Sequence, residues 1–541
     1  MKMTGGEAII ATMQSHGIDT IFALPGVQND WFFNALHDAG DAFRTYHTRH
    51  EQGAGYMALG AAMSTGKPSV FSVVPGVGML NASAALATAY SVNAPVFCYT
   101  GEIRSSMMGR GFGQLHELPD QLGILERLTK WAAHIGSVAD APWTVAEAFR
   151  QLQQGRPQPV AVQCPMDILA DSAEIASIPG PLELRHPAVD EDKIAEAAKL
   201  LSAAKNPLIF VGGGAIGARE SVKNLAELLQ APVISSRSGH GVLPSSHSLS
   251  LRPQAAYTLW ERTDVVVALG SRVARPLLNW GTDSGLKIIR IDVDADEHFR
   301  TVRSDVGLVA RCEEAVPLLL AAVEKSVDVR PSRAEEMDDV RAEADSQWAY
   351  LEPQLSYINA IRDVLPNDGF FVRDVTQIGY VSEYTMPIEE PRTFVSPGYQ
   401  GTLGWGFATA LGVKAANPDK PVIAACGDGG FMYTMPELAT AVQQKLNIVT
   451  LVFTDGAFGN VQRMQKEDYG NRVIATNLHN PDFVKLAENF GALGLRATNP
   501  DDLRTAIETG LAADQPTLIE IPMGEVPSPW PLIMAPRLRG K

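Results

Sequence analysis

Short runs rich in Val and Ile return along the whole chain, each set among stretches of helical spacing. They are KPSVFSVV (67–74), APVFCYT (94–100), NPLIFVGGG (206–214), DVVVALG (264–270), LKIIRIDV (286–293), KPVIAACGDGG (420–430) and NIVTLVFTD (447–455). Strands that are apolar on both faces are buried on both faces, which calls for parallel sheets covered by helices on either side. The fold class expected is therefore α/β, built from doubly wound parallel sheets. Two stretches interrupt the alternation. The segment 176–192 is Pro-rich and precedes a helix starting near Asp190; the segment 327–350 is charged and weakly apolar, a solvated connector or surface helix. These breaks divide the 541 residues into three units, 1–175, 190–326 and 350–541. A length prior of about 150 residues per domain agrees with three to four.

The net charge of −16, with acids and bases mixed along the chain, argues against a nucleic-acid surface and suits a soluble enzyme of small molecules. Cys98, Cys164, Cys312 and Cys426 lie far apart and match neither a disulfide framework nor a zinc spacing, so a reducing compartment is expected. The start MKMTGGEAII lacks the features of a signal peptide, and no run approaches the ~20 apolar residues of a membrane span. The expected location is cytoplasmic, with no membrane partner.

In AACGDGGFMYTM (424–435) a single acid, Asp428, stands among glycines where an apolar strand gives way to a helix. Backbone N–H groups at such a helix N-terminus suit a phosphate, which a carboxylate repels. A divalent cation resolves the conflict: Asp428 ligates Mg²⁺, and Mg²⁺ bridges to diphosphate oxygens. The next strand ends in Asp455. Both acids then lie at carboxyl ends of neighbouring strands, the ligand crevice of an open α/β sheet.

At these residues the sequence resembles the thiamine-diphosphate enzymes of the acetolactate synthase, pyruvate oxidase and decarboxylase superfamily. Their signature is Gly-Asp-Gly, an intervening helix, and Asn-Asn at the end of the next strand. Gly427-Asp428-Gly429 matches, and Thr454-Asp455 stands where Asn-Asn is usual. The resemblance implies thiamine diphosphate as cofactor and Mg²⁺ or Ca²⁺ held by Asp428, Asp455 and the backbone carbonyl of Ala457. Gly429, Gly430, Phe458 and Gly459 fall in the cofactor-binding stretches. TRHEQGAGYMALGAAMSTGKP (48–68) looks like the segment with the superfamily's essential glutamate, so Glu51 is expected to favour the imino tautomer of the cofactor through N1′. By the same likeness Leu403 in GTLGWGFATALG wedges beneath the cofactor, Thr376 and Gln377 contact the diphosphate, and Pro25, Gly26 and Asn81 line the pyrimidine side. The three units become pyrimidine-binding, central and diphosphate-binding domains. The superfamily joins the first unit of one subunit to the last unit of another, which implies a homodimer or homotetramer.

In the central unit Gly212, Gly214 and Gly217 satisfy G-x-G-x-x-G, yet QAPVISSRSGHG (230–241) offers no acid for a ribose, which disfavours a nicotinamide dehydrogenase. In the superfamily this unit carries FAD in some members, ADP in others and nothing in many, and the residues leave that choice open. GSRVARPLLNW (270–280) keeps Arg272 but lacks both acids of the Arg-Phe-Asp-Asp-Arg pattern of acetolactate synthases. GNVQRMQKEDYG (459–470) lacks their Trp. GVQNDWFF (26–33) and LHELPDQLGILERLTKWA (115–132) resemble segments of benzaldehyde lyase, whose substrate-facing His and Gln are here exchanged as Gln28 and His116. Glu117 and Asp120 flank His116 and would be partners for it if near in space, and Trp31, Phe112, Trp405, Phe431 and Met464 either accommodate a substrate substituent near the pocket or pack in the core.

The function implied is carbon–carbon bond cleavage or formation through a C2 carbanion and an enamine: 2-oxo acid decarboxylase, acyloin lyase or carboligase. Substrates are a 2-oxo acid, an aldehyde or an acyloin. Acetolactate synthase proper and a flavin-dependent 2-oxo acid oxidase are the alternatives.

Overall fold

The computed structural model describes residues 1–235 and 237–540. It contains three six-stranded sheets in which every strand pair is parallel. The first runs in the order Arg44–His47, Thr20–Ala23, Ser69–Val73, Val96–Glu102, Val160–Pro165, Trp131–His134. The second runs Ser250–Leu251, Val233–Ser235, Pro207–Val211, Val265–Leu269, Lys287–Asp292, Val306–Val309. The third runs Phe394–Val395, Phe370–Arg373, Val422–Gly427, Val449–Thr454, Thr517–Pro522, Leu493–Arg496. Every strand quoted from the sequence is found in these sheets, and the central strands are buried on both faces. A small antiparallel pair, Lys2–Thr4 with Ser172–Glu174, closes the N-terminal domain.

Each sheet changes winding direction at a central switch point, and in the two outer sheets the last two strands also exchange places at the edge. An open α/β sheet presents its ligand crevice at the central switch, beyond the carboxyl ends of the strands. In the N-terminal sheet the switch lies between Thr20–Ala23 and Ser69–Val73, which lead into Pro25-Gly26 and Gly76–Asn81. In the central sheet it lies between Pro207–Val211 and Val265–Leu269, leading into Gly212 and Gly270. In the C-terminal sheet it lies between Phe370–Arg373 and Val422–Gly427, leading into Thr376-Gln377 and Asp428.

The outer domains share one core. Tyr56, Met57 and Leu59 of the helix Glu51–Thr65 pack with Trp405, Phe407 and Leu411 of the helix Trp405–Ala416. Glycine permits the close crossing: a Cβ on Gly60 would stand 2.0 Å from the Thr409 carbonyl oxygen, and one on Gly412 would stand 1.9 Å from that of Met57. Helices with no polar face belong between two layers, and these two run between the N- and C-terminal sheets.

The segment 176–189 carries no regular structure, and Asp190 caps the helix Glu191–Ala203 through the Lys193 N–H. The charged stretch 327–350 contains the helix Ala334–Trp348, which buries Met337 and Val340 against the central domain. Beyond Pro522 the chain crosses back to the central domain. Arg539, 7% exposed, donates to the carbonyls of Trp260, Glu261 and Thr263. The C-terminal segment is thus a strap between domains. All four cysteines are free and buried, and no helix among the described residues is long and apolar enough to cross a membrane.

Candidate active site

The strands Val422–Gly427 and Val449–Thr454 are direct neighbours, so Asp428 and Asp455 emerge side by side. Asp428 is 2% exposed: Oδ2 accepts the Gly456 N–H at 2.9 Å and the Asn480 amide at 2.7 Å, while Oδ1 accepts only the Gly429 N–H, at 2.8 Å, and keeps a lone pair for a cation. Asp455 Oδ1 accepts the Ala457 N–H at 3.0 Å. Desolvation and the nearby Asp428 carboxylate push the Asp455 carboxyl up to about 6. Two carboxylates crowded in this way fit a divalent cation, which relieves the repulsion. The loop 455–459 is braced on both sides of Ala457, by Phe458 N–H to Thr476 and Leu478 N–H to Gly456. Gly429 lets the Phe458 ring lie close, since a Cβ there would be 2.8 Å from it; a Cβ on Gly459 would be 2.4 Å from Asp455 Oδ2.

Beside this pair, Thr376 caps the helix Gln377–Thr385 by accepting the Gly379 N–H at 2.9 Å, and its methyl packs against Gly427. Gln377 holds an enclosed Oε1 without a partner. Two helix N-termini, at Gln377 and Asp428, therefore converge on one crevice with an unengaged amide, an arrangement that fits a diphosphate. Leu403, half-buried, precedes Gly404, whose φ of +81° and contact with Tyr433 exclude a side chain. The Gly404 carbonyl accepts from Thr434 at 3.0 Å, tying the Leu403 turn to the helix Asp428–Thr434.

In the N-terminal domain Glu51 opens its helix and accepts the Asn81 amide on Oε2 at 3.0 Å. Gly78 approaches Glu51 Oε1, with a hypothetical Cβ 3.4 Å away, and both Gly26 and Gly78 close on Val74. Pro25 is exposed at the mouth. Gln28 is 4% exposed and donates to the Leu115 carbonyl at 2.9 Å, leaving Oε1 enclosed and unpartnered. That bond brings Gln28 to the loop of His116, whose φ is +66°, whose Nδ1 is enclosed without a partner and whose carbonyl rests against Gly76.

The flanking acids of His116 serve elsewhere: Glu117 accepts the N–H groups of Gly111 and Gln114, and Asp120 caps the next helix through Gly123. Trp405 and Phe431 are fully buried core residues, not pocket residues, whereas Trp31, Phe112 and Met464 are exposed at 45%, 59% and 41%. Within one chain no hydrogen bond or ion pair among the described residues joins Glu51 to Asp428. Asn480, Asp374, Glu437 and Gln121 are the residues that sequence reasoning missed. Gln121 fixes the Gly76 turn by accepting its N–H at 2.7 Å. Asn480 carried a faint signal, as a polar residue just before the Pro481-Asp482 helix start.

The central switch point opens into a cavity of ≈ 850 Å³ at the junction of all three domains. Gly212 and Gly270 pack backbone to backbone on its floor. Asp292, paired to Arg156 at 2.9 Å, lines it from a different strand than the glycine motif. Arg275 and Arg392 also line the cavity with no carboxylate partner among the described residues.

Switch-point crevices on three doubly wound sheets, one of them carrying paired carboxylates, define a three-domain α/β enzyme built around a phosphate-bearing cofactor. Residues 3–124, 194–319 and 374–521 match the family models described as the thiamine pyrophosphate enzyme N-terminal TPP binding, central and C-terminal TPP binding domains. A probable 2-ketoarginine decarboxylase of Pseudomonas aeruginosa is 31% identical, over 96% of this chain and 94% of its own length. A probable acetolactate synthase large subunit of Methanocaldococcus jannaschii is also 31% identical, over 96% and 92%. The acetolactate synthase isozyme 1 large subunit of Escherichia coli is 28% identical, over 98% and 96%. The chain belongs to the thiamine pyrophosphate enzyme family.

Proposed function

We propose that the protein uses thiamine diphosphate and Mg²⁺ to cleave or form a carbon–carbon bond beside a carbonyl, as a 2-oxo acid decarboxylase, an acyloin lyase or a carboligase. The observation that carries this reading is the adjacency of Asp428 and Asp455 at the ends of paired strands, with Asp455 pushed up to about 6 by burial and by the Asp428 carboxylate. Asp428, Asp455 and the Ala457 carbonyl hold the cation. Thr376, Gln377, Gly429, Gly430, Phe458 and Gly459 receive the diphosphate, and Leu403 supports the rings. Pro25, Gly26 and Asn81 line the pyrimidine side. When bound, thiamine diphosphate supplies a nucleophilic carbon for a substrate carbonyl and a ring that accepts the electron pair of the broken bond.

Glu51 Oε1 holds the proton exchanged with the pyrimidine, while Asn81 orients the carboxylate through Oε2. His116, through Nδ1 or its other ring nitrogen, and the Gln28 amide face the substrate oxygen. The unengaged Nδ1 of His116 supports that role, as does the second N–H of Gln28 Nε2, which spends only one on the Leu115 carbonyl. Exposed Val27, Val77, Leu80 and Leu115 around Glu51, and Met432, Tyr433 and Val461 around Asp428, support two apolar faces that cover each other in a dimer, with Glu51 and Asp428 of different subunits serving one cofactor. The domain limits 1–175, 190–326 and 350–541 belong to the same reading, as does a cytoplasmic location.

The central cavity, with Arg275 and Arg392 unpaired by carboxylates and Asp292 at its wall, suits an anionic nucleotide such as FAD or ADP. The acetolactate synthases among the relatives keep acetolactate synthase proper beside the main reading, and the central cavity keeps a flavin-dependent oxidase there. Proton NMR of separate incubations with pyruvate, benzoylformate and benzoin, each with thiamine diphosphate and Mg²⁺, distinguishes them. Aldehyde or acyloin products absent with Glu51→Gln support the proposal; acetolactate alone, or oxygen uptake by a yellow protein, supports an alternative.

A further inference from the structure

Asp374 is a buried acid with no part in the chemistry above. It is 1% exposed, directly after the strand Phe370–Arg373 at the C-terminal switch point. Its Oδ1 accepts the Val375 N–H at 2.7 Å, and its enclosed Oδ2 makes no close hydrogen bond, with only the Gly406 N–H facing the carboxylate from the next helix. A buried carboxylate oxygen left in this state costs free energy. The surroundings have been emptied to admit it. A Cβ on Gly430 would lie 2.9 Å from Oδ2, and one on Gly406 would lie 3.0 Å from it. The Asp374 carbonyl accepts the Thr376 N–H at 3.0 Å and abuts Gly379. Three segments thus meet on this one residue: the turn 375–377, the first turn of the helix after Leu403, and the first turn of the helix that starts with Asp428.

We propose that Asp374 is a positioning residue for thiamine diphosphate: its ionised carboxylate draws these three turns into the arrangement that receives the cofactor, and its protonation lets them part. The inference rests on the thiamine-diphosphate reading. The charged and titratable groups that face Asp374 are Arg373 on its own strand, Tyr56 from the Glu51 helix, Tyr380 from the Gln377 helix and Cys426 from the strand Val422–Gly427; the Gly406 N–H faces it from the Trp405 helix. Burial pushes the carboxyl up to about 6, opposed by the Val375 and Gly406 N–H groups and by Arg373. An acid raised in the folded state weakens the fold once ionised, because the unfolded chain releases its proton at lower pH. Its contribution to stability therefore falls as pH rises from 3.8 through about 6. A structural acid adds to stability; this one is kept at a cost to it.

Asp374→Asn separates the two. The expected result is a higher melting temperature for the cofactor-free protein near pH 8, together with a dissociation constant for thiamine diphosphate raised roughly tenfold in calorimetric titration with Mg²⁺, the scale of one charge-assisted hydrogen bond. Wild-type affinity falls on acidification through about 6, and the variant lacks the part of that fall due to Asp374. Superimposable binding curves for the two proteins at every pH would overturn the proposal. If the variant does not melt cooperatively, the titration is repeated with Asp455→Asn, which removes the other acid raised to about 6, and an affinity that is flat across that interval in this protein overturns the proposal. A wild type that binds no thiamine diphosphate at any pH removes the underlying reading instead.

Discussion

The Glu437 carboxylate accepts the backbone N–H of His50 at 3.0 Å, across 387 residues of sequence. It also takes the Arg49 N–H at 3.1 Å and the Thr440 hydroxyl at 2.6 Å. These bonds fix the entry to the helix that begins with Glu51, so the C-terminal domain sets where the proposed proton-holding acid of the N-terminal domain stands. Gly53 makes room for the contact, since a Cβ there would be 2.4 Å from Glu437 Oε1.

Glu437→Gln keeps the size of the side chain but loses the charge that those donors share. Small displacements of a catalytic acid are costly, so turnover is expected to fall by about ten- to a hundredfold, with Mg²⁺ affinity unchanged. Parallel measurements of kcat and of Mg²⁺ dependence check the split. A loss of metal affinity would place Glu437 in the metal site instead.

Asp455 stands where Asn is usual in the family, and in the proposed metal site its negative charge would add to that of Asp428 in holding a cation. Asp455→Asn is expected to weaken Mg²⁺ binding by roughly tenfold at neutral pH, measured as the metal dependence of thiamine diphosphate binding. An unchanged metal requirement would count against a ligand role for this carboxylate.

The glycine crossing between the outer domains gives a stability test. Gly60→Ala pushes a methyl into the Thr409 carbonyl at 2.0 Å, against backbone that does not yield. A loss of about 2–4 kcal/mol is expected from such overpacking. Gly17→Ala, on the surface, has nothing within 4 Å, and its cost comes only from its φ of +77°. Urea unfolding of both variants compares them.

His240, between the central and C-terminal domains, is lowered to about 4, chiefly by desolvation, with Arg252 and Arg373 also lowering it and Glu383 opposing. The unfolded chain takes up a proton near 6.5 and the native one near 4, so stability is present above 6.5 and is lost as pH falls toward 4. Between pH 7 and 5 this loss is roughly 2 kcal/mol. Asp374 changes stability in the opposite direction over part of that interval, so the comparison is between His240→Asn and wild type. The variant is expected to lack the histidine's share of the acid loss in urea midpoints at the two pH values.

The strands and the pair Asp428 and Asp455 were legible because short apolar runs and glycine settings are local signals. Glu51 and Leu403 were singled out only through resemblance. Glu437 and Asn480 were hidden because their meaning lies in partners 387 and 52 residues away. Asp374 looks like any acid ending a strand until Gly406 and Gly430 close on it. Trp405 and Phe431 were left open between pocket and core because an aromatic beside a glycine motif looks the same in sequence whether it lines a cavity or fills a core. Asp292 escaped because it reaches the central cavity from a strand far along the chain from the glycine motif.

The most direct test of the account needs no substrate: exchange of the C2 proton of bound thiamine diphosphate for deuterium, quenched in acid and read by proton NMR. The account predicts exchange accelerated by orders of magnitude over free cofactor in the wild type, and close to the free rate in Glu51→Gln with the cofactor still bound. Equal exchange in the two proteins would contradict it.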